Sequence, residues 1–152
     1  MNTRKVIILR GLPGSGKTTL AKEIIKNDPT QWVRYSMEEI SSSIGSDDLV
    51  EILRDDFLNN AMLNQLDVIL DDPYLSNEDI STIKEEVNNF NEWISLSNLD
   101  VLYNVEVKDL FQVPLLTCIE RDSKKDNPVG ELTIRNMYNK YKDMILPWKY
   151  LN

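Results

Sequence analysis

Histidine is absent from the 152 residues of this chain. Imidazole therefore takes no part in any acid–base step, and His-ligated metal sites are excluded. A general base must be a carboxylate, a lysine or a tyrosine. Cysteine occurs once, at Cys118, which excludes an internal disulfide framework. Flanked by apolar Leu116 and Ile119 on an expected helix, its thiol reads as a buried core group. No apolar run approaches the 18 or so residues of a membrane span. The short apolar run after the basic start leads into a glycine loop, not a small-residue cleavage site, so no secretory signal is expected. Positive charge is scarce in the middle: residues 38–109 hold three bases against eighteen acids. Residues 1–37 hold seven bases and two acids, and residues 110–152 hold seven and five, for a net charge of −8. A broad basic surface, as needed to wrap a long nucleic acid, cannot be built from such a middle. Any nucleic-acid contact is expected to be local, near the flanking segments; otherwise the acidic middle is a solvated face.

What is present is ordinary globular composition, 41% hydrophobic and 28% charged, in a length that suits one domain over 1–152. No internal repeat or low-complexity tract interrupts it. The β-branched run at 5–10 suits a buried parallel strand. A helix follows the glycine loop to about Asn27, with Leu20, Ile24 and Ile25 on its inner face, and Asp28-Pro29 breaks it. Residues 31–36 alternate like a strand, 37–43 suit a short helix, and 47–64 read as a longer one. Residues 67–71 form a third strand. Ser76, with Asp79 three residues on, marks a helix start for a helix running to about Ser95. Residues 99–107 alternate as a fourth strand. Pro114 suits the first turn of a helix ending near Lys125, and after a loop Glu131 opens a last helix to about Ile145. Trp32, Trp93 and Trp148 read as packing residues. Strands alternating with helices imply an α/β domain with a parallel sheet of about four strands flanked by helices.

Gly11-Leu12-Pro13-Gly14-Ser15-Gly16-Lys17-Thr18 matches the G-x-x-x-x-G-K-[ST] phosphate-binding loop, or P-loop, between an expected strand and an expected helix. Its glycines let backbone N–H groups curl around phosphate oxygens, and the helix N-terminus, including Thr19, adds a favourable dipole. Lys17 is expected at the β- and γ-phosphates of ATP, and the Thr18 hydroxyl on Mg²⁺. The size suits a small kinase better than a large ATPase, and no Asn-Lys-x-Asp guanine motif is present.

Three further segments bear on the acceptor. Glu38 and Glu39 follow the second strand, where strand ends face a ligand crevice. Either carboxylate there can take the proton of an acceptor hydroxyl; equally, both suit the first turn of a helix. Val68-Ile69-Leu70-Asp71-Asp72 is an apolar strand ending in aspartates, able to hold Mg²⁺ or simply to cap the strand. Arg121-Asp122-Ser123-Lys124-Lys125 is a basic cluster leading into a loop. It suits either a lid that stabilises charge on a transferring phosphoryl group or a plain cationic helix end.

Together these segments resemble the kinase domain of the phage polynucleotide 5′-hydroxyl kinase family over nearly the whole chain. Val113-Pro114, Arg121-Asp122-Ser123-Lys124-Lys125, Val129 and Ile134-Arg135-Asn136-Met137-Tyr138 follow that family's order and spacing. The resemblance implies a P-loop kinase fold and transfer of the ATP γ-phosphate to a 5′-hydroxyl of DNA or RNA. It places Lys17 and Thr18 on phosphates and Mg²⁺, Glu38 at the general-base position, Asp72 after the third strand, and Arg121 and Lys125 at the lid arginines. It also implies a cytoplasmic protein (host cytoplasm for a phage gene); the family's phosphatase domain is not expected, since the length is too short for it and no Asp-x-Asp-x-Thr or Ser motif occurs. The chain departs from the family pattern at Glu38, where the family has Asp, at Ser41 for an acceptor-side arginine, at Lys125 for the second lid arginine and at Gly130 for a lid proline. Arg34 is a candidate replacement for the missing acceptor cation. Those departures keep two alternatives in view: a small-molecule or nucleoside kinase on the same fold, and an ATP-binding module with a degenerate acceptor site.

Overall fold

The computed structural model describes residues 2–36, 47–71 and 76–151, with side chains over 2–36, 52–71 and 76–142. The short helix expected at 37–43 lies outside the described residues. Four strands, β1 (Asn2–Arg10), β2 (Trp32–Ser36), β3 (Asp67–Asp71) and β4 (Val101–Asp109), form one sheet in the order β2-β3-β1-β4. Every pairing is parallel. The helices are α1 (Lys17–Asn27), α2 (Asp47–Leu63), α3 (Asn77–Ser95), α4 (Leu115–Ser123) and α5 (Glu131–Leu151).

Because β1 and β3 are central, both of their faces are covered, and their apolar runs are continuous rather than alternating. Strand alternation sorts them onto two faces. Val6, Ile8, Val68, Leu70, Val101 and Tyr103 pack against Leu58 and Met62 of α2 and Ile83, Val87 and Phe90 of α3. Ile7, Leu9 and Ile69 pack against Ala21 of α1, flanked by Leu20, Ile24, Ile25 and Trp32, as the helical spacing of α1 requires.

The sequence-based boundaries hold with instructive exceptions. β1 begins at Asn2, not Lys5, because β4 offers hydrogen-bond partners from Asn2↔Val101 onward and pairing does not require an apolar side chain. β4 lies two residues later than expected, a shift that leaves every side chain on its own face. Pro114 is the N-cap of α4 rather than its first turn, and α4 ends at Ser123, so Lys125 lies beyond it. α5 continues past Ile145 to Leu151; Pro147 removes one amide donor without ending the helix. The expected start of α3 is present in full: Ser76 Oγ accepts from the Asp79 N–H at 3.1 Å, and Asp79 Oδ2 accepts from the Ser76 N–H at 3.2 Å. Trp32 packs as expected. Trp93 is 55% exposed, with its ring 5.8 Å from that of Phe90.

The turn from α2 into β3 closes without glycine. Gln65 takes a left-handed conformation (φ 55°), and the N–H groups of Gln65 and Leu66 donate to the carbonyls of Met62 and Ala61. This is a Schellman motif, which satisfies carbonyls that the helix end would leave orphaned. On α3, the Asn91 side chain donates to the Tyr103 carbonyl and accepts from the Tyr103 N–H, both at 2.9 Å. Asn91→Ala leaves both backbone groups without these partners and is expected to cost about 1–3 kcal/mol, read as a lower urea midpoint at unchanged slope.

Glu86 of α3 lies near Arg54 and Asp55 of α2. Burial first, and then the Asp55 charge, hold its carboxyl above the ordinary 4.5, against the pull of Arg54. The folded state therefore binds this proton more tightly than the unfolded chain, and Glu86's contribution to stability is lost as pH rises from 4.5 through the raised value. Glu86→Gln is expected to raise the melting temperature at neutral pH, with the gain vanishing in melts below pH 4.5.

Candidate active site

β1 delivers the chain to the C-terminal edge of the sheet, and residues 11–16 turn there before α1 begins at Lys17. The turn depends on its glycines. Gly14 has φ +84° and lies so close to α4 that a Cβ would sit 2.2 Å from the Cys118 carbonyl oxygen. Gly16, the N-cap of α1, has φ +103° with open space around it. Lys17, 5% exposed, folds over the loop and donates from Nζ to the carbonyls of Gly11 (2.9 Å) and Leu12 (3.1 Å). The Ser15 hydroxyl oxygen is buried and, among the described residues, has no hydrogen-bond partner. It lines a cleft of about 750 Å³, together with Gly14, Gly16, Lys17, Thr18, Thr19, Arg121 and Lys125. Gly11, Leu12 and Pro13 lie behind it, buried.

One wall of the cleft comes from α4 and the loop after it. Leu12 of the P-loop packs with Cys118, Ile134 and Met137, which ties the loop to α4 and α5. Arg121 extends back so that its Nη1 lies 3.5 Å from the Gly14 carbonyl. Asp122, 1% exposed, accepts from the N–H groups of Val129 (3.1 Å) and Gly130 (2.9 Å), with Lys125 Nζ 3.6 Å away. One buried carboxylate thus staples the loop that carries Lys125. Burial raises the Cys118 thiol pKa, and Lys17, Arg121 and Lys125 each pull it down. A single point in the fold therefore senses all three expected cations of the site.

β2 and β3 meet the first turn of α1 beside the cleft through one ion pair. Alternation along β3 puts Ile69, and with it Asp71, on the α1 face. Asp71 is 3% exposed, and its Oδ2 accepts from Arg34 Nη2 (2.8 Å) and Nε (3.2 Å). The same Nη2 lies 3.3 Å from Thr18 Oγ1. One guanidinium thus bridges the end of β3 and the first turn of α1. Asp72, Glu38, Glu39 and Ser41 lie outside the described residues.

The sequence reading kept both Asp71 and Asp72 as aspartates able to hold Mg²⁺, and the family resemblance pointed to Asp72; of the two, Asp71 is the one described. The sequence reading missed Asp122 as a staple and Glu23 and Leu110 as cleft-lining residues; for those the sequence carries no signal short of the folded geometry. On the opposite face of the sheet, Arg10 makes a two-pronged ion pair with Asp109 (2.6 and 2.9 Å) and donates to Asn77 Oδ1 at 2.9 Å.

The donor set suits a hard cation. Thr18 and Asp71 offer a hydroxyl and a carboxylate oxygen within reach of one guanidinium, and Mg²⁺ takes oxygen ligands while keeping waters and substrate phosphates. Among the described residues there is no cluster of three or more acidic, Cys or His ligands.

No protein-family model matches the chain, and none of the curated proteins matches its sequence. Solved structures do. A chain of the Pnkp1/Rnl/Hen1 RNA repair complex superposes with a TM-score of 0.64 over 95% of this chain at 19% identity. A chain of a second Pnkp1/Rnl/Hen1 complex gives 0.56 over 80% at 20% identity. This chain spans 47% and 40% of those chains, less than half of each. A deoxyadenosine kinase from M. mycoides is 21% identical over 96% of this chain and 85% of its own, with a TM-score of 0.48. The fold is the P-loop α/β fold. Among the described residues, no helix is long and apolar enough to cross a membrane.

The two left-handed glycines of the loop separate experimentally. Gly14→Ala meets both an unfavourable φ and a backbone oxygen, and is expected to lower the melting temperature by about 4–8 °C. Gly16→Ala meets only the φ and is expected to cost less than half of that in the same thermal scan.

Proposed function

We propose that this chain is an ATP-dependent phosphotransferase that moves the γ-phosphate of ATP to a 5′-hydroxyl end of DNA or RNA. The observation that carries the reading is the convergence of Lys17, Thr18, Arg121 and Lys125 on one cleft at the C-terminal edge of a parallel sheet. Ligands of open α/β sheets bind at that edge. The likeness to a chain of an RNA repair complex, over 95% of this chain, supports a polynucleotide acceptor. The reading is confined to the half of that chain which this one spans.

In this reading the P-loop amides cradle the β- and γ-phosphates, and Lys17 turns its ammonium from the loop carbonyls to them. Thr18 and the aspartates Asp71 and Asp72 would hold Mg²⁺, which would supply positive charge to offset that of the phosphate chain. Glu38 takes the proton of the acceptor hydroxyl as its oxygen attacks the γ-phosphorus, and the bond to the β–γ bridging oxygen breaks to release ADP. Arg121 and Lys125 stabilise charge on the transferring group. End recognition involves few phosphates, so the dependence on salt is weak and the net charge of −8 is no obstacle. A second reading, a nucleoside or small-alcohol kinase, is favoured by Ser41, which brings no charge to the acceptor side.

Transfer from γ-labelled ATP with Mg²⁺ tests this directly, using 5′-OH DNA and RNA oligonucleotides, a 3′-phosphorylated nucleoside and plain nucleosides as acceptors. Label is expected on oligonucleotide ends, absent with Lys17→Ala and reduced at least about 100-fold with Glu38→Gln. Equal labelling of plain nucleosides would select the second reading. ATP binding without label on any acceptor would reject phosphotransfer and leave a nucleotide-binding module.

A further inference from the structure

A carboxylate that is to hold a divalent cation does so best with its lone pairs unengaged and with no positive charge beside it. Asp71 meets neither condition. It is 3% exposed, and Nε and Nη2 of Arg34 both donate to the same oxygen, Oδ2. The Arg34 side chain is itself only 13% exposed, so solvent screens the pair weakly. Nη2 also lies 3.3 Å from Thr18 Oγ1, the other oxygen of the donor set. A positive charge is thus lodged between the two described oxygens of the donor set.

We infer that Arg34 is a competitor for the metal site. Its guanidinium occupies Asp71 and the approach to Thr18 until a metal–nucleotide complex displaces it, so the protein takes up metal with the nucleotide and not ahead of it. The competition is electrostatic. A like charge within about 4–6 Å disfavours a charged group by a factor of ten or more, and the guanidinium also engages the carboxylate lone pairs a metal would need. The phosphate chain supplies what the protein alone lacks, additional anionic oxygens that favour the metal over Arg34. Arg34 is in this sense a positioning residue that sets the order of loading. The inference rests on the kinase reading only in taking Thr18 and Asp71 as metal ligands.

The test is metal binding to the full chain without nucleotide, with Mn²⁺ alone as probe and free Mn²⁺ followed by electron paramagnetic resonance. Arg34→Gln is expected to bind one Mn²⁺ at least about ten-fold tighter than the wild type. Arg34→Lys keeps the positive charge but not the guanidinium fork, and is expected to bind Mn²⁺ more weakly than Arg34→Gln does. Asp71→Asn added to Arg34→Gln is expected to abolish the gain, which separates this site from adventitious binding by the acidic middle. Arg34→Met, which retains the apolar stem, repeats the comparison should the Gln variant fail to fold. Unchanged affinity in the neutral variants, or weaker binding, overturns the inference: Arg34 would then be a scaffold for Asp71, not its competitor. A tightened site in a protein that transfers no phosphate would uphold the inference and reject the kinase reading, so the two fail separately.

Discussion

The ion pair between Arg10 and Asp109 governs where the P-loop can start. Arg10 is the last residue of β1, 6% exposed, and Gly11 follows it directly. Its partner is the last residue of β4, its own register neighbour, and it also donates to Asn77 at the start of α3. The Leu110 N–H closes the arrangement by donating to the Arg10 carbonyl at 2.7 Å. Three elements thus meet at one side chain, immediately before the segment that must turn back on itself. Buried pairs of this kind contribute modestly to net stability, because desolvation offsets much of the attraction. What the pair supplies is a fixed point of departure for the loop. From there Gly14 can pass within contact of α4, and Lys17 can fold back over the carbonyls of Gly11 and Leu12.

Charge is arranged in opposition to the composition of the chain. A protein of net charge −8 gathers Lys17, Arg121 and Lys125 around one cleft, close enough that the Cys118 thiol responds to all three. Asp122 holds this cluster in place by fixing the backbone beyond it and by pairing with Lys125 at 3.6 Å. The acids of the middle segment lie elsewhere in sequence, so the attractive field for an anion is local and the long-range field opposes it.

Much of this was legible in the sequence because local and tertiary signals agree. The P-loop sits between a β-branched run and an amphipathic helix. The Ser76–Asp79 pair announces α3. The inner face of α1 follows from the spacing of Leu20, Ile24 and Ile25. Legibility fails where partners, not propensities, decide. Asn2, Thr3 and Arg4 form strand because β4 lies beside them. Gln65 takes a left-handed conformation because the helix end needs its amide. Lys125 falls outside α4 because Asp122 captures the following loop. At the site, the P-loop motif named its own residues. Asp71 and the bridging position of Arg34 depend on which face two different strands present to a third element, which no single segment encodes. Glu38 and Asp72 rest on the sequence alone.

Asn91 sets the width of the sheet. By occupying both amide groups of Tyr103, a side chain from α3 takes the hydrogen bonds that an additional strand would have to make at that point. A neighbour seeking to extend the sheet past β4, from this molecule or another, would first have to evict that carboxamide. The helix that packs on the sheet thus also blocks the β4 edge at Tyr103, and does so with one uncharged residue.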